Sequence, residues 1–176
     1  MKTDHKVMLG IGLLTIALMT GLIWSSSKES NKRQAQLAKP LMGEKIVDQG
    51  GNHVKDGTKV DYNSNPPTSG PHYVNPQSAG IYDKPIPDGN LVHSMEHGAV
   101  IIWYQSNLAK DQIEQLKNIY YSVGVNKKIM VPRDNLDVPV ALTSWGRLLK
   151  LQAIDEAQIK EFMETNNDRA PEKASI

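Results

Sequence analysis

The apolar run VMLGIGLLTIALMTGLIW, from Val7 to Trp24, constrains this chain before anything else. It spans 18 residues without a charge, near the lower limit for crossing a bilayer as a helix, roughly 17–25 residues. Trp24 at its far end suits an interfacial aromatic anchor. A cleaved signal peptide is the competing expectation, because Lys2 and Lys6 precede the run. The run is long for a signal, no clear small-x-small cleavage site follows it, and no cysteine is present to take a lipid. The expected segment is therefore an uncleaved single-pass transmembrane helix over residues 7–24, preceded by a short tail at 1–6.

Lys2 and Lys6 flank one side of this run, and Lys28, Lys32, Arg33 and Lys39 the other. Large domains translocate largely regardless of such flanks, so this balance does not fix the orientation. The soluble part is expected outside the cytoplasm. Residues 25–39, SSSKESNKRQAQLAK, are polar and free of aromatics, as a tether would be. Residues 40–176 are long enough for one domain.

Of the whole chain's 20 Lys/Arg and 19 Asp/Glu, residues 34–176 keep 15 and 17, a net of −2. No basic run interleaves with aromatics, so nucleic acid is not an expected partner. No nucleotide cofactor is expected either. The absence of cysteine removes disulfides, thiol catalysis and thiolate metal ligation.

Residues 40–90 are dense in Gly, Pro, Asn and Asp, which predicts a loop-rich first half with short strand candidates such as Lys59–Tyr62. The second half is more regular. AVIIWY at Ala99–Tyr104 reads as a central strand. Ile113, Leu116, Tyr120 and Val123 recur at helical spacing over Ala109–Val123, and Gly124 can end that helix. Lys128–Pro132 and Val138–Leu151 read as strands, the latter a hairpin bent near Gly146. Asp155 and Gln158 form a capping box, Ile154 and Ile159 a staple, and Ile159, Phe162 and Met163 a buried stripe. The predicted fold is α+β: a small, mostly antiparallel sheet with two helices packed on one face.

The chemistry concentrates in LVHSMEHGAV, residues 91–100. Read as an extended strand leading into AVIIWY, it projects His93, Met95 and His97 to one face and Glu96 to the other. Two imidazoles and a thioether are ligands for copper first and zinc second. His72, in the proline-stiffened PPTSGPHY, is the expected third imidazole, and His53 a further one. Such a domain would bind, deliver or sense a transition metal, with a metal donor or acceptor protein as partner.

Two other classes stay open. Read as a helix, H-x-x-E-H puts His93 and His97 on one face, with Glu96 as general base of a metal-dependent hydrolase. A third ligand would then come from Glu156, Glu161 or Glu164. The other class is a protein-interaction domain in which the histidines are structural and Glu96 pairs with Lys84, Arg133 or Arg147. Tyr62, Tyr73 and Tyr82 lie near the candidate residues in sequence, while Trp103 and Trp145 read as core.

The histidine of GNHV, the PPTSGPH loop, Gly80 with Tyr82, H-x-x-E-H-G and the late SWGR tryptophan occur together between about Gly51 and Pro171. In this combination the chain resembles the uncharacterised domain-of-unknown-function family numbered 3105. The resemblance implies no activity, since that family has none assigned.

Overall fold

The computed structural model describes residues 3–176; Met1 and Lys2, part of the expected tail, lie outside the described residues. In chain order the elements are α1 (Thr3–Ala38), β1 (Glu44–Lys45), β2 (His53–Val54), β3 (His72–Tyr73), β4 (Gly80–Ile81), α2 (Asp88–Glu96), β5 (Val100–Gln105), α3 (Lys110–Ser122), β6 (Lys128–Arg133), β7 (Val140–Ser144), β8 (Arg147–Leu151) and α4 (Glu156–Asn166). They fall into two units, Met1–Pro40 and Leu41–Ile176.

The first unit is the single helix α1. Its 36 residues give a rod of about 54 Å at 1.5 Å per residue. The stretch Met8–Ala35 is long and apolar enough to cross a membrane, a property that signal sequences share. Its Leu13, Ile16, Leu22 and Trp24 side chains are all exposed. The helix continues past Trp24 through most of the polar stretch.

The second unit is an α+β fold on a six-stranded sheet of order β1-β8-β7-β5-β6-β4. Strands β1, β8, β7 and β5 pair antiparallel, while β5, β6 and β4 pair parallel. β5 is central and wholly apolar over VIIWY, as a strand covered on both faces must be. Its alternation divides the core. Val100, Ile102 and Tyr104 meet Leu116, Ile119 and Tyr120 of α3 and Ile159, Phe162 and Met163 of α4. Ile101 and Trp103 meet Leu91, Val92 and Met95 of α2 on the other face. Helices α3 and α4 thus share one face, as expected.

Most of the local signals are realised. Gly146 takes φ +65 at the β7–β8 turn, and Asp155 caps α4 by accepting from the Gln158 amide at 3.0 Å. The Gln158 side chain, however, bonds the Asp155 carboxylate at 2.7 Å instead of completing the reciprocal box.

Two expectations fail. Lys59–Tyr62 is not a strand. The Gln49 side-chain amide bonds the Asp61 carbonyl and the Asn63 N–H, supplying the partner groups that a neighbouring strand would.

The larger correction is HSMEH, which is not extended but lies in the last turns of α2. The Gly98 that follows is the residue that ends this helix. At φ +93 it occupies the left-handed position, donating to the Met95 carbonyl at 2.9 Å, while Ala99 donates to Ser94 at 2.9 Å. This pair of bonds is a Schellman stop. Leu91, Val92 and Met95 supply the buried stripe, each worth about 1.5–3 kcal/mol of transfer free energy.

Candidate metal centre

At 100° per residue, α2 and its C-cap carry His93 and His97 on the side away from the apolar stripe, with Glu96 on the flank between Val92 and His93. That turns them toward the loop half. β2 and β3 pair in parallel with His53 opposite His72, and neighbours across a ladder project to the same face. The pairing continues outward, with His72 N–H bonding the Asn52 carbonyl at 3.0 Å and Gly70 N–H bonding Gly50 at 2.9 Å.

The two pieces meet. Ring centroids of His53, His72 and His93 are 4.8–5.0 Å apart. The ligating atoms of His53, His72, His93 and Glu96 all lie within 4.8 Å of one another. His72, His93 and Glu96 are buried, while His53 is exposed and closes the group at the surface.

The second nitrogen of each buried ring is already committed. His72 Nδ1 is 2.8 Å from the Gly70 carbonyl, His93 Nδ1 is 2.7 Å from that of Tyr73, and His97 Nδ1 is 2.9 Å from that of Ser175. A carbonyl only accepts, so each Nδ1 carries a proton, and Nε2 is the nitrogen that each ring has left to offer a metal. Outer hydrogen bonds of this kind orient metal-ligating histidines.

The Nε2 atoms then face unsuitable neighbours. His72 Nε2 is 3.0 Å from Glu96 Oε2, yet it is buried with no hydrogen-bond partner. The contact has the distance of an ion pair without the alignment of a hydrogen bond. A carboxylate oxygen this close to an imidazole nitrogen calls for positive charge between them, which a metal ion supplies. Burial also holds the His93 pKa below its ordinary 6.5, and the neighbouring imidazoles lower it further, although its bond to the Tyr73 carbonyl raises it. A neutral His93 ring is a ready nitrogen ligand. Nitrogen and oxygen donors of this kind suit a divalent transition metal.

His72 and His93, both expected from the sequence, are in this group, joined by His53. Glu96 lies among the imidazoles and not on the opposite face. None of Glu156, Glu161 and Glu164 belongs to it. His97 adjoins the group, its Nε2 3.0 Å from that of His93. Met95 does not join it: helical spacing puts its side chain in the apolar cluster with Leu91 and Trp103. Glu96 faces His72, whereas Arg133 pairs with Asp88.

The tyrosine hydroxyls bond main-chain carbonyls: Tyr62 to Pro71, Tyr73 to Thr58 and Tyr82 to Ser78. Trp103 is core, and Trp145, half-buried against the same cluster, stands edge-on to His72 with ring centroids 6.2 Å apart. Sequence reasoning missed Glu172, whose carboxylate reaches His97 Nε2 at 3.4 Å. No local pattern marks it, because only tertiary folding brings the C-terminal segment over α2.

A family model described as Protein of unknown function (DUF3105) matches residues 53–175. No curated protein and no solved structure matches the chain.

Proposed function

The chain belongs to the DUF3105 family of proteins of unknown function, and on that premise we propose that it binds a divalent transition metal through His53, His72, His93 and Glu96. The carrying observation is the buried His72 Nε2, oriented by the Gly70 carbonyl and left against a carboxylate with no hydrogen-bond partner. A cation among the four donors gives that nitrogen the partner it lacks. The preference for copper rested on a Met95 thioether beside the imidazoles. With Met95 in the core, three nitrogens and one carboxylate favour zinc, and copper in its divalent form comes second.

The exposed His53 suits exchange of the ion with a donor or acceptor protein, so delivery or sensing is the role that fits best. In this reading α1 anchors the chain in a membrane by a single pass, with the domain outside the cytoplasm.

X-ray absorption on the zinc-loaded full chain in detergent tests the donor set. Nitrogen and oxygen donors at about 2.0–2.2 Å are expected. A sulfur scatterer at about 2.3 Å would reinstate Met95 and refute this set.

A hydrolytic reading is favoured by one observation, the helical HSMEH that puts Glu96 beside His93. Glu96 would then be the base that takes a proton from metal-held water. Glu96→Gln separates the two roles: a base variant keeps its metal and loses hydrolysis, whereas a ligand variant loses metal affinity.

A further inference from the structure

The His93–His97 contact places a further nitrogen donor beside the first four. Both rings donate through Nδ1 to carbonyls, of Tyr73 and Ser175. Their Nε2 atoms lie 3.0 Å apart, a distance that calls for a proton or a metal ion between the two nitrogens. With His93 Nε2 given to the first ion, His97 Nε2, on a residue only 9% exposed, adjoins a second group of donors. In that group the ligating atoms of Glu96, His97 and Glu172 all lie within 4.8 Å of one another. The C-terminal segment is registered there by its backbone, since Glu172 N–H bonds the Glu96 carbonyl at 3.1 Å.

We propose that Glu96, His97 and Glu172 form a second divalent-cation site, and that Glu96 bridges it to the first in a two-metal centre. This rests on the metal-binding reading above. Glu96 is the only residue common to both donor groups, and a carboxylate has two oxygens to share. Ions in two-metal centres lie about 3.5–4 Å apart, a spacing that one carboxylate spans. The second site has two oxygen donors and one nitrogen, a harder set than the first, so it takes manganese, iron or zinc in the divalent state. Two dications against the carboxylates of Glu96 and Glu172 leave an excess of two positive charges. The centre therefore has capacity for an anionic ligand such as hydroxide. Because Glu172 is 56% exposed at its side chain, the second ion is the more exchangeable one.

Metal content of the full chain in detergent, dialysed against zinc alone, tests this. Wild type is expected to hold two zinc ions per chain. Glu172→Gln, a change at an exposed side chain, is expected to hold one, with the second affinity falling at least tenfold. His97→Ala is expected to behave as Glu172→Gln does. One ion in both wild type and Glu172→Gln overturns the second site while leaving the first intact. No ion in wild type overturns both. Two ions in wild type that Glu172→Gln leaves unchanged also overturn the proposal.

Discussion

Gly51 gives the carboxylate of Glu96 its place: a Cβ on residue 51 would stand 2.0 Å from Glu96 Oε1. The backbone of Gly51 does not need glycine's conformational freedom, so the requirement is one of space. Gly51→Ala is expected to keep the fold and displace the carboxylate. Zinc affinity should fall about tenfold or more, the scale of losses when a ligand's support is removed. Calorimetric titration of the variant checks this, and unchanged affinity would contradict the claim that Gly51 sets the position from which Glu96 binds metal.

Acid should weaken the metal-free domain through His93. Its pKa is held below the ordinary 6.5, first by burial. The unfolded chain takes up a proton near that ordinary value and the native ring resists, so below it the unfolded state binds more protons and stability falls. Above it both forms are neutral and this group adds no pH dependence. Urea midpoints of the metal-free protein should hold from about pH 8 to 7 and then drop toward about pH 5. His93→Asn, which keeps a donor for the Tyr73 carbonyl, should flatten the drop; a midpoint that rises on acidification contradicts this.

Gly98 is required by backbone conformation. At φ +93 its Cβ would also stand 2.8 Å from Asp168 Cα. Forcing an L side chain into the left-handed region costs about 1–2 kcal/mol before the collision is counted. Gly98→Ala should therefore lower unfolding free energy by about 2 kcal/mol or more, read from urea titration. A loss under half of that would mean that the α2 stop tolerates a side chain.

Thr143→Val probes the opposite face of β5 from α3 and α4. Trp103 Nε1–H donates to Thr143 Oγ1 at 2.7 Å, and both residues are buried. Valine keeps the shape and orphans the indole donor, a loss of about 1–3 kcal/mol. Thermal and urea unfolding of the single variant measures it.

The regular half of this fold was legible because its signals are local. AVIIWY, the Ala109–Val123 periodicity and the Asp155 cap each act within a few residues. The candidate site was legible as residue types but not as geometry. HSMEH reads as extended because Gly98 and then a β-favouring run follow it, although a glycine directly behind H-x-x-E-H fits a helix C-terminus equally well. Leu91, Val92 and Met95 at helical spacing were the signal that would have corrected it. His53 depended on a two-residue pairing with β3, and Glu172 on the packing of the C-terminal segment. Neither has a pattern in its own neighbourhood.

The most direct test of the central claim is zinc retention by the full chain after chelator treatment, reloading and exhaustive dialysis, beside His72→Ala and His93→Ala. The account predicts that wild type keeps zinc and that each variant binds it at least tenfold more weakly while unfolding as cooperatively as wild type. Wild-type protein that retains neither zinc nor copper, or variants that retain the same metal with the same affinity, would contradict it.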